Sequence, residues 1–317
     1  ELVAVINGFE DTGLTFQTSH TKLGEALIRV SGDASADVTD TDPFFENIHP
    51  WMQPLAYAES CEKEKAQTTA LSLQRYLIWC RELLLRHEIN TSREARGLPA
   101  LDTFTTKWVG KIRELPTFYQ QVGVDGGAVT SSALYRGLAQ LLGLRVIDIP
   151  SCGNHASDLV ARFEAASDLF SQDCSFIHVH IKSTDEAGHS KDPREKVRVV
   201  EAIDSAFELL EGSAWDDVII AVTGDHATPS SGGVLHTGDP TPLVIAGPTV
   251  RKDGVELFGE SSAISGSLGV LRAADILPTM LSYANRPRFM GARAHPWEAI
   301  GLIDNPRPMP LDPQSRL

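Results

Sequence analysis

Three short segments combine carboxylate and imidazole side chains at spacings suited to metal binding. Asp185 and His189 lie four residues apart, Asp225 and His226 are adjacent, and His236 follows in the next segment. Carboxylate oxygen and imidazole nitrogen are ligands for Mn²⁺, Zn²⁺, Co²⁺ or, with more oxygens, Mg²⁺. The five residues are nearly a full ligand set for two divalent cations, and paired metals are a general device for moving phosphoryl groups.

Both acidic motifs follow short runs that favour β-strands. Residues 176–181 precede Asp185, and residues 218–222 precede Asp225. Between the two runs, residues 193–210 have apolar side chains every three or four positions, which predicts a helix. A strand–helix–strand order is typical of a parallel α/β sheet, in which ligands collect at the carboxyl ends of the strands.

The spacing within each motif predicts its local backbone. A four-residue separation lets one helical turn aim Asp185 and His189 at the same ion. Adjacent residues of a strand point to opposite faces, so Asp225 and His226 are expected on an irregular turn, which Gly224 permits. An alternative interpretation makes Asp185 a helix cap and the histidines surface residues, but the agreement of three motifs with strand ends favours the metal site.

The same segments resemble the archaeal-type branch of the cofactor-independent phosphoglycerate mutases, within the alkaline phosphatase superfamily. The resemblance rests on residues 183–189, 223–229 and 236–240, and further matches follow in order at residues 37–43, 87–99, 126–129, 136–137, 146–150 and 275–279. It implies an α/β fold, a three-layer sandwich with a mainly parallel sheet of the alkaline-phosphatase-like kind, and a smaller α+β lid domain.

The resemblance also implies roles for the metal motifs. One ion would be held by Asp185, His189 and His236, and a second by Asp225 and His226. The expected cofactors are two divalent metal ions, Mn²⁺ first, with Zn²⁺, Co²⁺ or Mg²⁺ as alternatives. The implied enzyme is an isomerase of glycolysis that interconverts 3- and 2-phosphoglycerate without 2,3-bisphosphoglycerate. Its Ser or Thr nucleophile needs a cation to lower the hydroxyl pKa.

The chain departs from the family at its beginning. It starts at Glu1, and no segment matches the family's first strand, its Asp-Gly metal turn or its nucleophile segment, so no catalytic nucleophile is identified. Residues 124–127 are interpreted as an ordinary turn into a strand, and Ser230 and Ser231 as loop residues. We expect the chain to be the carboxyl-terminal part of an enzyme, or a truncated relative that cannot form a phosphoenzyme.

The pattern of apolar residues divides the chain near residue 115. The family resemblance implies that residues 1–115 form the substrate-binding lid domain and residues 116–317 the metal-binding α/β core. The lid contains strands at 14–16 and 26–30 and a long amphipathic helix at 62–87, whose apolar face carries Leu73, Leu77, Cys80 and Leu84. The core is predicted to contain strands at 127–131, 146–149 and 243–246, helices at 134–142, 157–170 and 268–283, and an irregular tail at 305–317.

A lid that closes over a phosphorylated substrate excludes water and needs cationic side chains. The candidates that bind a small phosphorylated carboxylic acid are Lys22, Arg93, Lys107 and Lys182. The family has arginine where Lys22 and Lys107 stand, and lysine lacks the bidentate fork of arginine. A phosphatase or phosphonate-ester hydrolase therefore remains an alternative, as does a non-catalytic relative that binds metal or a partner.

Composition excludes two classes of partner. A net charge of −14 over 317 residues argues against a nucleic-acid ligand, and no apolar run is long enough to cross a membrane. The four cysteines (Cys61, Cys80, Cys152 and Cys174) have no paired spacing. They are interpreted as buried reduced thiols of a protein in the reducing cytoplasm.

Overall fold

A computed structural model describes residues 2–21, 24–43, 50–286 and 309 of the chain. The chain forms two compact units, Glu1–Glu114 and Leu115–Leu317. No helix among the described residues is both long enough and apolar enough to cross a membrane.

The first unit contains an antiparallel sheet, one long helix and two shorter helices. The sheet contains strands β1 (Phe9–Asp11), β2 (Leu14–His20) and β3 (Ala26–Ser31), and the helices are α1 (Leu2–Val5), α2 (Lys63–Leu85) and α3 (Glu88–Ala95). The predicted apolar face of α2 is confirmed, because Leu73, Leu77, Cys80 and Leu84 are all buried. The ring of Tyr76 stacks on that of Phe16 with centroids 4.6 Å apart, which joins α2 to the sheet.

The second unit is built on a three-stranded parallel sheet. Its strands are β4 (Gly126–Thr130), β5 (Arg145–Asp148) and β6 (Phe176–Val179), in the order β5-β4-β6. Helix α4 (Phe118–Val122) precedes β4, α5 (Ala133–Leu141) joins β4 to β5, and α6 (His155–Ser171) joins β5 to β6. The chain runs outward from β4 to β5 and returns to the other side of β4. The strand order therefore reverses between β4 and β6, where α/β sheets place their ligands.

Strand β4 lies at the centre of this unit, and all five of its residues are buried. A Cβ atom at Gly127 would lie 2.8 Å from the Leu169 side chain, and one at Gly126 would lie 2.5 Å from that of Leu144. Glycine at these positions allows α6 and the segment before β5 to pack directly on the strand.

The remainder of the second unit carries the residues after β6. It contains α7 (Ser183–His189), α8 (Pro193–Ala206), two 3₁₀ turns (Phe207–Glu211 and Ser213–Trp215), β7 (Ile220–Thr223), β8 (Leu243–Ala246), α9 (Glu260–Ala263) and α10 (Ala273–Tyr283). The predicted helix after Pro193 is confirmed, but its buried residues are Val199 and Ala206. Val197 and Val200, which belong to the predicted apolar spacing, are exposed.

The two predicted strands on either side of α8, β6 and β7, are not hydrogen-bonded to each other in the part of the chain that the structure describes. Among the described residues β7 pairs with β8 in an antiparallel ladder, and β6 pairs with β4. A strand–helix–strand pattern indicates direction when two strands share a sheet, but it does not say which strand is the hydrogen-bonded neighbour. The parallel part of the fold is therefore the sheet formed by β4, β5 and β6.

Some boundaries and burial states also differ from the prediction. Helix α6 begins at His155 with Asn154 as its cap, because the Asn154 side chain accepts a hydrogen bond from the backbone of Ser157. Helix α10 begins at Ala273 rather than at residue 268. All four cysteines are free, but Cys61 and Cys152 are exposed, contrary to the expectation that they are buried. The predicted irregular tail lies outside the described residues, except for residue 309.

Candidate metal centre

Helix α7 presents Asp185 and His189 on the same face. The His189 Nε2 atom lies 3.1 Å from the Asp185 Oδ1 atom, and both side chains are half-buried. The predicted placement of the pair on one helical turn is therefore confirmed. Helix α7 starts directly beyond the end of β6, so the pair stands at the carboxyl edge of the parallel sheet.

His236 reaches the same point from the segment between β7 and β8. Its Nε2 atom lies 3.2 Å from the His189 Nε2 atom and 3.6 Å from the Asp185 Oδ1 atom. The three ligand atoms all lie within 4.8 Å of one another. An ion with bonds of about 2.0–2.2 Å to oxygen and nitrogen needs ligands roughly 3 Å apart, so the spacing and the chemistry of this group fit a divalent cation.

Asp225 and His226 lie on an irregular bend just after β7, as predicted. The His226 Nε2 atom lies 3.6 Å from the Asp225 Oδ2 atom, and the His226 ring centroid lies 4.1 Å from that of His236. The five predicted side chains are therefore brought together. Asp225 and His226 stand beside the three-residue group rather than within it.

Thr228 links the two parts of the centre, and the sequence analysis missed it. Its hydroxyl donates to Asp185 Oδ1 at 2.9 Å and contacts His226 Nδ1 at 3.1 Å. Because a hydroxyl has one proton and that proton goes to the carboxylate, the oxygen accepts a hydrogen bond from Nδ1–H of His226. The Nε2 atom of a neutral His226 then carries the lone pair that a metal requires.

A signal for Thr228 was present in the sequence. Residues two positions apart on an extended segment point to the same side, so Thr228 and His226 were candidates to face a common neighbour. The close approach of α7 to this segment was not visible. A Cβ atom at Gly188 would lie 2.7 Å from the Thr228 Cγ2 atom, which shows how tightly the helix packs there.

Tyr135, on α5, is a second missed residue. Its hydroxyl donates to Asp225 Oδ2 at 3.1 Å, and burial together with the Asp225 charge raises the pKa of Tyr135, so the donor stays protonated. Burial also raises the pKa of Asp225, but opposing contributions, among them the hydrogen bonds from the Tyr135 hydroxyl and the His226 backbone amide, leave the pKa below its usual value. Asp225 therefore stays ionised. A contact between residues 90 positions apart has no local sequence signal.

His180 directly follows the last residue of β6, and its ring contacts the ring of Tyr135. The two rings stack with centroids 3.7 Å apart, and Thr130 Oγ1 lies 3.2 Å from His180 Nδ1. Burial, with a smaller contribution from His178, lowers the pKa of His180 to about 4. His180 is therefore a neutral packing partner of Tyr135 near neutral pH.

The four substrate-binding candidates have different surroundings. Lys182 is the exposed residue before α7, in the unit that carries the centre. In the first unit, Lys107 forms an ion pair with Asp42 at 3.3 Å, and Arg93 donates to the backbone oxygen of Pro99 at 2.9 Å. Lys22 lies outside the described residues.

Comparison with known proteins places the chain among the metalloenzymes. The profile of the metalloenzyme superfamily matches residues 11–283, so the residues at the centre belong to a fold that binds divalent metal ions. The chain is 34% identical over 269 residues to 2,3-bisphosphoglycerate-independent phosphoglycerate mutase 2 of Methanocaldococcus jannaschii, covering 83% of this chain and 59% of that protein. It is 33% identical over 291 residues to the corresponding mutase of Picrophilus torridus, covering 91% of this chain and 69% of that protein.

The fold of this chain is similar to that of a solved structure. The cofactor-independent phosphoglycerate mutase of Thermoplasma acidophilum superposes with a TM-score of 0.56 at 29% identity, over 89% of this chain and 69% of that one. This likeness confirms the predicted α/β, alkaline-phosphatase-like fold.

The chain spans 59% of the length of the M. jannaschii relative. A superfamily match over most of its residues, together with identities of about a third to these mutases, places the chain in the family of the 2,3-bisphosphoglycerate-independent phosphoglycerate mutases.

Proposed function

We propose that this chain carries the metal-binding part of an isomerase that interconverts 3- and 2-phosphoglycerate in glycolysis without 2,3-bisphosphoglycerate. The observation that carries the proposal is the convergence of Asp185, His189 and His236, whose ligand atoms lie within 4.8 Å of one another. It occurs in a chain that belongs to the family of these mutases, beside a second carboxylate–imidazole pair.

The proposed cofactors are two divalent ions, Mn²⁺ first. Asp185, His189 and His236 would hold one ion, and Asp225 and His226 would contribute to the second. When bound, such ions stabilise the charge on the transferring phosphoryl group and lower the pKa of an attacking hydroxyl.

The protein's own contribution to this centre is to orient the ligands before an ion arrives. The Thr228 hydroxyl holds an oxygen of Asp185, and the Tyr135 hydroxyl holds an oxygen of Asp225. Ligand carboxylates and imidazoles that are hydrogen-bonded in this way keep their direction and protonation state. The arrangement favours tight binding because little order has to be created on loading.

Lys182 is the proposed contact for a phosphate or carboxylate group of the substrate on the second unit. It lies immediately before the helix that carries Asp185 and His189. The first unit is the proposed lid, with Lys107, Arg93 and Lys22 as its cationic candidates. Closure of a lid would exclude water and so favour transfer to substrate over hydrolysis.

We also propose the cytoplasm as the compartment of this protein. The thiols of Cys61 and Cys152 are exposed and free. Exposed thiols that remain unpaired are typical of proteins kept in a reducing environment.

The test is a pair of assays on the protein translated from the complete coding sequence that contains this chain, loaded with Mn²⁺. Formation of 2-phosphoglycerate from 3-phosphoglycerate is followed by coupling to enolase, and inorganic phosphate is measured in parallel. The proposal expects isomerisation with little phosphate release, and loss of at least about 100-fold in rate in Asp185→Asn. The exposed Asp216→Asn serves as the matched control.

The same assays distinguish the alternatives. Phosphate release without 2-phosphoglycerate would replace the isomerase by a phosphatase of the same superfamily, an outcome consistent with lysine at positions 22 and 107. Absence of both activities in a metal-loaded, folded protein would favour a non-catalytic relative.

A further inference from the structure

The segment that delivers His236 to the centre is a closed loop. An isolated β-bridge joins Ala227 to Thr237, with the Thr237 amide donating to the Ala227 oxygen at 3.1 Å. The loop of residues 228–236 begins with Thr228 and ends with His236, so both of its ends belong to the metal centre. Its tip contains two consecutive glycines, and Gly232 has a φ of +73°.

Glycines at the tip give this loop many accessible backbone conformations. The bridge at its neck fixes its two ends relative to each other, but it does not fix the loop against α7, which carries Asp185 and His189. The direction of the His236 side chain therefore depends on additional contacts.

Two lysines supply such contacts, and we call them the lysine clamp. The Lys191 ammonium donates to the backbone oxygens of Pro229 and Val234, each at 2.7 Å, so it joins the outgoing limb of the loop to the returning limb. The Lys196 ammonium donates to the backbone oxygen of Thr228 at 2.6 Å. Hydrogen bonds from a charged donor are stronger than those between neutral groups.

The clamp connects the loop to the helices that face it. Lys191 lies two residues beyond His189, in the turn between α7 and α8, and Lys196 lies in the first turns of α8. Both lysines are half-buried. The clamp therefore holds the loop that carries His236 and Thr228 against the elements that carry Asp185 and His189.

The backbone of Lys191 has a conformation that residues with a side chain seldom adopt. Its φ is +58°, in the left-handed region where glycine is favoured and a side chain is strained. The backbone alone therefore favours glycine at this position. The two hydrogen bonds made by the ammonium offset that strain.

We propose that Lys191 and Lys196 are positioning residues that hold the 228–236 loop in the conformation that binds metal. This inference rests on the proposed metal centre. The clamp acts through His236 and Thr228. By ordering the loop in advance, it reduces the entropic cost of bringing His236 to an ion already held by Asp185 and His189.

The test uses Co²⁺ as the probe, because its visible absorption reports both occupancy and ligand geometry. Lys191→Met and Lys196→Met are expected to raise the Kd for Co²⁺ by about 10- to 100-fold and to change the absorption spectrum. Hydrogen exchange of residues 228–236 in the metal-free protein is expected to become faster. Lys252→Met, at an exposed position, removes the same charge and is expected to match the wild type in all three measurements.

Two further variants separate the clamp from a general loss of stability. Lys191→Gly suits the local backbone, so the protein should keep or gain thermal stability while Co²⁺ binding weakens as in Lys191→Met. Lys191→Arg retains a cationic donor and should restore part of the affinity.

Co²⁺ affinity, spectrum and loop exchange that stay at wild-type values in Lys191→Gly and Lys191→Met would overturn the proposal, whatever reaction the enzyme catalyses. If the clamp variants lose Co²⁺ affinity but the wild type does not interconvert the phosphoglycerates, the clamp stands and the proposed reaction fails.

Discussion

At the scale of single residues, the Thr228 hydroxyl connects Asp185 to His226 by hydrogen bonds. Thr228 donates to Asp185 and accepts from His226, so it fixes a carboxylate and an imidazole tautomer at once. It is nearly fully buried, with 5% of its surface exposed. A buried hydrogen-bonding group of this kind is costly to remove, because both of its partners are left unsatisfied.

We therefore expect Thr228→Val to weaken metal binding more than it weakens the fold. The Kd for Mn²⁺ should rise by about 10- to 100-fold, since His226 loses the partner that selects its tautomer. Isothermal titration with Mn²⁺ measures the change. Thr279→Val, which removes a hydroxyl from α10, should leave the Kd unchanged, and equal effects of the two substitutions would contradict the assigned role.

His180 makes stability depend on pH in a definite direction. Its pKa in the folded protein is about 4, below the ordinary value of about 6.5 for the unfolded chain. Between these values the unfolded state binds more protons, so the free energy of unfolding rises with pH across this window. The stabilisation is fully present above about pH 6.5 and is lost as the pH falls towards about 4.

Urea unfolding of the metal-free protein at several pH values between these limits tests this point. His180→Gln should reduce the pH dependence, whereas His155→Gln, at the start of α6, should retain it. An unchanged pH dependence in His180→Gln would rule out the assigned protonation state.

Some residues of the candidate centre were predictable from the sequence, and others were not. Residue types and spacing predicted the convergence of five side chains, because each motif is local: Asp185, His189, Asp225, His226 and His236. Thr228 and Tyr135 were missed because their roles depend on segments that are distant in sequence. Their hydrogen bonds to Asp185 and Asp225 span 43 and 90 positions.

At the scale of elements, the approach of α7 to the Thr228 segment sets the geometry of the centre. A Cβ atom at Gly188 would lie 2.8 Å from the backbone oxygen of Thr228 and 2.7 Å from its Cγ2 atom. Such a contact with backbone cannot be relieved by rotating a side chain. Helix α7 would have to move away from the segment and carry Asp185 and His189 with it.

Gly188→Ala is therefore expected to destabilise the protein by about 1–3 kcal/mol and to weaken Mn²⁺ binding. The matched control is Gly137→Ala in α5, where the added Cβ would meet no atom within 4 Å apart from its chain neighbours and the backbone of its own helix. That substitution should be neutral or stabilising by up to about 1 kcal/mol, because alanine favours helix. Thermal unfolding and Mn²⁺ titration of both variants provide the comparison, and a fully stable Gly188→Ala would show that α7 is not held as described.

Helices and strands were predictable where the signal for them lies within one short segment of the sequence. The apolar face of α2 was predicted from its periodicity, strand β8 was predicted at residues 243–246, and both are confirmed. The pairing of β7 with β8 was not predicted, because periodicity identifies a strand without selecting its neighbour. The phase of α8 was also missed, since Val197 and Val200 are exposed although they follow helical spacing.

At the scale of the whole molecule, the number of ligands predicts unequal metal sites. In the proposed centre, Asp185, His189 and His236 would offer three ligands to one ion, whereas Asp225 and His226 would offer two to the other. We expect this chain alone to hold fewer than two tightly bound equivalents of metal. Elemental analysis after dialysis against metal-free buffer measures the ratio, and two retained ions per chain would show that the second site is already complete.

The most direct test of the metal centre is diffraction from crystals of this chain soaked in Mn²⁺, with data collected to record its anomalous scattering. If these residues bind the ion, we expect a peak about 2.0–2.3 Å from Asp185 Oδ1, His189 Nε2 and His236 Nε2, and its loss in His236→Ala. Full Mn²⁺ occupancy elsewhere, with no anomalous density among these three atoms, would contradict the assignment of the metal ligands.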